Sequence, residues 1–499
     1  PRCIERRLGR WSRRAPEEVF ALLVHEEARV RLARRGLPAT LARHVRRLRK
    51  EHLEGLARLF AGEPERLAEL LSGVAPGARA ALFAQACAVH PLGEQLLPDA
   101  LLEALPHALR DGQAARMVAM REVRESPARE VAVVAFRDIG AARERLVQAC
   151  SASKAEERGF ALAQLVRCTG RSRRGMTETL TFLARLKNEQ DPVRLAAVEA
   201  LGAVPPSCFE DEHAEALLRM TRWLTEARDT SPATRGALQT LAFRLMQRHA
   251  TSPECALFQL SLSILQRLAK QAGSLSLPPL AVSLPRGAER QIFAVLQPMI
   301  RDANERESHQ LVLALATALG KRAWGLDLLQ KLLEPATEAS PQWLAERAVA
   351  LWLEPPESRD RRVKRLLERE PSAIVLPEVF AHLHRRRQEW LDPCLEGRPL
   401  RGKFLTGKTI LVLPATSGFE RWLPRQQRVL ARMHRQIASD KKRSDGERAA
   451  SLRVLSRMPV VDDELLCGFL SDEPPVVEAA LGALAWIDRP EQGLPVLLQ

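Results

Sequence analysis

Residues 191–204, DPVRLAAVEALGAV, decide how the rest of the chain is read. Asp191 suits a helix N-cap, and Pro192 suits the first helical position, where a missing N–H costs nothing. Val193, Ala196, Ala197, Ala200, Leu201 and Val204 recur at steps of three and four residues, so they lay one apolar stripe along about three turns. The alanines on that stripe let a neighbouring helix approach closely, and Pro205-Pro206 stop the run.

The same pattern recurs. With Leu201 as reference, EPPVVEAALGALAWI puts Val476 on Val193, Ala479 and Ala480 on Ala196 and Ala197, and Leu484 on Leu201. GERAASLRVLSRM gives Arg448 for Arg194, Ala450 for Ala196 and Leu455 for Leu201. Upstream, EERGFALAQLV supplies Arg158, Ala161 and Leu165, and SPATRGALQTLA supplies Pro232, Ala237, Leu238 and Leu241. The reference leucines at 165, 201 and 241, and again at 455 and 484, have the spacing of a helix-turn-helix unit with variable loops.

The pattern D-P-V-R-x-x-A-x-x-A-L-G resembles the second helix of a HEAT repeat, the helix-pair unit that stacks into α-solenoids. The resemblance covers roughly residues 150–250 and 440–499; elsewhere the reading rests on helix periodicity. It implies an all-α, armadillo-type superhelix of HEAT-like helix pairs with an extended concave face, on which a non-enzymatic scaffold binds a protein partner. The alternative architecture is a non-repeating helical domain rich in Ala and Leu. Some HEAT-like proteins act as DNA glycosylases or as lyases attaching bilins, but no residue here carries over from either group.

Composition agrees with helices. Leu, Ala, Arg and Glu dominate, aromatic residues are 4%, and Tyr is absent. Lysines number only 11 of the 76 basic residues, a bias that a GC-rich coding sequence explains. The eight cysteines, at 3, 87, 150, 168, 208, 255, 394 and 467, form no C-x-x-C pair and read as core thiols of a reducing compartment. No run of 18 apolar residues appears, so no membrane partner and a cytoplasmic location are expected. The chain opens on PRCIERRLG rather than Met and stops inside the apolar run GLPVLLQ, so both ends read as cut.

Residues 1–60 read as a basic helical segment. Positions 1–50 hold 15 Arg and Lys against five Glu, a balance of +10 out of +15 for the whole chain. One amphipathic helix is expected from Glu17 to Arg35 and a second from Thr40 to Phe60, where Arg43, Arg46, Arg47 and Lys50 fall on one charged face. With Arg10, Arg13 and Arg14 beside Trp11, these arginines are candidate contacts to an acidic partner or to phosphate, the nucleic-acid-binding alternative. A solvated cap on a terminal repeat accounts for them equally well.

Residues 61–272 read as HEAT-like helical repeats, interrupted by the basic loop Arg171-Ser-Arg173-Arg174-Gly175, which reads as a hydrated turn. Gly273 to Gly287, within a Pro/Ser-rich loop or linker at 273–290, is the expected boundary. Repeats resume at 291–390, with Trp324, Trp343 and Trp352 expected in the core. Residues 391–425 read as an irregular insertion with a β-hairpin, and 426–499 as further HEAT-like repeats.

The insertion holds the one motif that invites a sharp claim. GKFLTGKT, residues 402–409, matches the Walker A pattern, and Gly402, Gly407, Lys408 and Thr409 are the nucleotide-binding candidates. The surrounding order is wrong for that chemistry. A P-loop needs a buried strand before it and a helix after it, whereas DPCLEGRPLR is polar and proline-bearing and TILVLP reads as a strand. A small hairpin of 403–406 and 409–413, joined at Gly407-Lys408, fits better. His382 and His384 point to different helix faces, and His434 has no third ligand nearby in sequence, so no metal, cofactor or catalytic residue is assigned.

Overall fold

Gln190, rather than Asp191, stands at the N-cap of the Asp191–Ala203 helix, and Pro192 takes the second helical position. The Asp191 carboxylate reaches instead to the start of a later helix, accepting hydrogen bonds from the Ser231 N–H (3.2 Å) and the Thr234 hydroxyl (2.8 Å). The predicted single stripe is also too narrow. Val193, Ala197, Ala200 and Leu201 are buried, but so are Arg194, Val198 and Gly202, while Ala196 is half-buried. The reason is packing on two sides: the Ala155–Ser172 helix lies along one and the Pro232–His249 helix along the other. A helix with neighbours on both flanks needs small or apolar residues around most of its circumference. Gly159 shows how tight the fit is, since a Cβ there would sit 3.4 Å from Val193 Cα and 3.5 Å from Ala196 Cβ.

The computed structural model describes residues 11–23, 32, 36–272, 275, 277–406, 411–487 and 489–498. It is all-α: helix makes up 73% of it, and strand is confined to one two-residue pair among the described residues. The chain forms two units, Pro1–Gln271 and Ala272–Gln499. The reference leucines 165, 201 and 241 are buried in the first, and 455 and 484 in the second. Within the second unit the Asp445–Leu455 helix packs against both Pro424–Ser439 and Pro474–Leu484. All seven described cysteines are free thiols; Cys3 lies outside the described residues. Among the described residues no helix is long and apolar enough to cross a membrane.

Polar ties link one helix to the next. Arg158 holds Glu189 through Nε and Nη2 (3.1 and 2.9 Å), just ahead of the Asp191–Ala203 helix. Arg194 makes a two-pronged pair with Asp229 (2.9 and 2.8 Å), just ahead of Pro232–His249. In the second unit Arg448 pairs with Asp472, ahead of Pro474–Leu484. Arginine near a helix N-terminus opposes the helix dipole. Here each guanidinium folds back over carbonyls that the preceding turn leaves unpaired. Arg79, Arg158, Arg194, Arg235, Arg359 and Arg448, each the fourth residue of its helix, donate respectively to the carbonyls of Ser72, Ser153, Glu189, Thr230, Leu353 and Ala438.

Two expected elements differ at the N-terminus. The helix read as Glu17 to Arg35 is described as Pro16–Leu23, residues 24–31 lying outside the described set. The helix read as Thr40 to Phe60 is three pieces, Ala39–Ala42, the 3₁₀ turn Val45–Arg47 and Lys50–Leu59. Leu48 and Arg49 are extended between them, and the Glu17 carboxylate takes both the Arg49 N–H and the His52 ring. That external anchor lets the backbone turn and seat Val45 and Leu48 in the core. Arg43, Arg46 and Arg47 therefore do not share one helical face.

The insertion also differs in register. Arg401–Gly402 pairs antiparallel with Leu405–Thr406, so the turn falls at Lys403-Phe404 rather than at Gly407-Lys408. Glu370 and Ser372 fix it there: the carboxylate accepts from the Lys403 N–H (3.0 Å), the Ser372 hydroxyl accepts from the Phe404 N–H (3.0 Å), and Phe404 is buried. Leu411 to Leu413 form no strand. Trp352 is buried as expected, but Trp343 is 62% exposed.

His434, on the Pro424–Ser439 helix, is buried with its Nδ1 3.3 Å from the Ser451 hydroxyl and its Nε2 unpaired. Burial pushes its pKa down to about 4. In the unfolded chain a histidine titrates near about 6.5, so between those values the unfolded state binds a proton that the native state refuses. The neutral ring's contribution is present above pH ~6.5 and is lost as pH falls toward ~4, about 3 kcal/mol in all. Urea midpoints at neutral and acidic pH should therefore differ less for His434→Gln than for the parent; an equal drop would show that the ring is solvated.

Candidate acidic-ligand grooves

Arg110 sits on the His107–Val118 helix in register with Ala114 and Met117, both buried, so a guanidinium occupies the apolar side of a helix. It is 8% exposed and makes a single hydrogen bond, from Nη2 to the Arg171 carbonyl (3.1 Å). No carboxylate lies within ion-pair distance of it among the described residues. Burial lowers its pKa, Glu103 opposes that shift, and the Arg171 charge adds to it.

A cleft of about 520 Å³ opens beside this residue. The Asp99–Ala104 helix contributes Asp99 and Glu103, and the Ala155–Ser172 helix contributes Arg167 and Arg171, one turn apart. Arg173 follows in a left-handed conformation (φ 54°). Gly170, Ala200 and Ala203 keep the walls low. Arg171 is committed: it pairs with Glu103 (2.7 Å), donates to the Ala135 carbonyl (2.9 Å) and lies 3.9 Å over the Phe136 ring. Arg174 pairs with Asp138 and faces elsewhere. Arg167 and Arg173 are exposed and have no hydrogen bond or ion pair among the described residues. Four arginines against Asp99 and Glu103 leave a formal balance of +2.

The second unit carries a cleft of the same character, about 370 Å³, between the Asp327–Leu333 and Pro356–Arg369 helices. Lys331, Arg361, Arg362 and Arg365 face Asp327 and Glu334, again +2. Arg362 donates to Gln330 Oε1 (2.7 Å) and lies 5.2 Å from the Trp352 ring, and Arg365 pairs with Glu334 (3.0 Å). Arg361 and Lys331 are exposed and without a hydrogen bond or ion pair among the described residues.

The basic loop 171–175, expected as a hydrated turn, supplies Arg171 and Arg173 to the first cleft. Arg13, Arg14, Arg43, Arg46 and Arg47 are exposed, but line neither cleft. Arg46 Nε donates to the Gly73 carbonyl (3.2 Å) and Arg47 to the Arg13 carbonyl (2.9 Å), so both help hold the corner together. Arg10 lies outside the described residues, as do Gly407, Lys408 and Thr409. Gly402 lies in the short strand against the Glu370 carboxylate, a poor neighbour for a phosphate, and residues 411–418 form no helix. His382 is taken up by Asp360 (2.9 Å). No group of His, Cys, Asp and Glu among the described residues is arranged to hold a metal. The sequence matches no protein-family model, and no curated protein is similar to it.

Proposed function

We propose that this chain is a non-enzymatic interaction scaffold of HEAT-like helix pairs stacked as an α-solenoid, and that it binds an acidic segment of a protein partner. The observation that carries the reading is two arginine-rich clefts, in different units, each with more cations than carboxylates and each holding exposed, unpaired guanidinium. The stacking is supported by the Asp191–Ala203 helix lying between its neighbours in the repeat series. Helix pairs that bury their apolar faces only against neighbours leave a long surface free for a partner.

Fluorescence anisotropy with a labelled Asp/Glu-rich peptide tests this. The peptide should bind, weaken as salt rises, and lose about tenfold in affinity when Arg167 and Arg173, or Arg361, are changed to Glu. The competing reading is nucleic-acid binding through the N-terminal arginines, for which Arg13, Arg14 and Arg43 are exposed. Preference for duplex DNA over the peptide, removed by alanine at those three positions, would replace the proposal.

A further inference from the structure

We propose that the cleft of the first unit is a phosphoryl-recognition pocket, taking a phosphorylated side chain of the acidic partner segment between Arg167 and Arg173, with Arg110 supplying buried positive charge. The inference rests on the acidic-segment reading and narrows it.

Two observations make the cleft an anion site, and a third favours a phosphomonoester over a carboxylate. The first is Arg110. A guanidinium with 8% exposure and one carbonyl partner is under-compensated. A buried charge without an ion-pair contact is costly, and an arriving anion reduces that cost. The second is the available donors. Arg167 and Arg173 present unused forks, and guanidinium meets phosphate oxygens two at a time. Arg173 keeps a left-handed backbone that a glycine would adopt with less strain, as Gly175 does two residues later. The third is charge. The formal +2 of the cleft matches a phosphomonoester, which carries about −1.5 to −2 near neutral pH. A ligand carboxylate would leave half of it uncompensated, and Glu103 already gives Arg171 a carboxylate. At about 520 Å³ the cleft has room for the phosphoryl group and for the residues beside it.

The test uses the full chain and three degenerate pools of short Asp/Glu-flanked peptides, identical except for a central Ser, Glu or phosphoserine, together with a 5′-phosphorylated single-stranded DNA. The phosphoserine pool should bind at least tenfold more tightly than either other pool. Arg167→Gln and Arg173→Gln, both at exposed positions, should each remove most of that gain, bringing the phosphoserine pool close to the Ser pool measured on the same variant. Arg110→Gln should remove it too, with thermal melting reporting whether the fold survives. Equal affinity for all three pools overturns the phosphoryl pocket and leaves the acidic-segment reading standing. Binding of none of them overturns both. A phosphoserine gain that persists in Arg167→Gln and Arg173→Gln puts the phosphate elsewhere, and tighter binding of the phosphorylated DNA assigns the cleft to nucleic acid; either result overturns the proposal.

Discussion

Arg448→Ala is expected to destabilise the Ala272–Gln499 unit by about 3 kcal/mol, seen as a lower urea midpoint with an unchanged slope. The side chain is 2% exposed, its Nε donates to the Ala438 carbonyl (2.8 Å), and its fork reaches Asp472 and, at 3.4 Å, Asp445. Truncation leaves the Asp472 carboxylate, itself only 13% exposed, without its cation and leaves the carbonyl without a donor. Arg448→Lys should recover less than half of the loss, because an ammonium serves one of these directions at a time. A midpoint shift within about 0.5 kcal/mol for Arg448→Ala would mean that the tie behaves as a surface pair.

Leu201→Ala is expected to cost the Pro1–Gln271 unit a similar amount, about 3 kcal/mol. Leu201 is fully buried on a helix clamped between two others, so the vacated volume has little freedom to collapse. Leu195, on the same helix but half-buried, is the control, and its alanine variant should lose about 1 kcal/mol or less. Equal losses at the two sites would show that the periodicity names the wrong face.

Position along a helix was the readable part of this fold. The three- and four-residue steps that chose Leu165, Leu201, Leu241, Leu455 and Leu484 chose buried residues in every case. The same alignment put Arg158, Arg194 and Arg448 in register, and all three turn out to grip an acidic residue ahead of the helix they pack against, one helix further on in the chain. What escaped was set by partners distant in sequence. Glu17 breaks the helix expected from Thr40 to Phe60, and Glu370 moves the hairpin turn to Lys403-Phe404. No local pattern announces either one. Asp191 has the right chemistry for a cap but spends it on Ser231 and Thr234, some 40 residues later.

The clefts were legible only in part. Arg171-Ser-Arg173-Arg174 was visible as a basic loop, yet its three arginines have three different fates: a pair with Glu103, no partner, and a pair with Asp138. Composition cannot sort them, because the sorting depends on carboxylates from two other helices. Arg110 did leave a trace, an arginine in register with Ala114 and Met117 on the inward side of its helix. Clustering of like charge along the chain points to positions 1–50; a buried arginine among apolar residues points to the cleft.

The six fourth-position arginines bear on how this protein meets polyanions. None of them is exposed, and each donates to at least one main-chain oxygen. An isoelectric point near 10.1 therefore overstates the face shown to the outside. Part of the surplus is mortar between helices, out of reach of any passing nucleic acid or lipid headgroup, and little affected by the ionic strength of the medium.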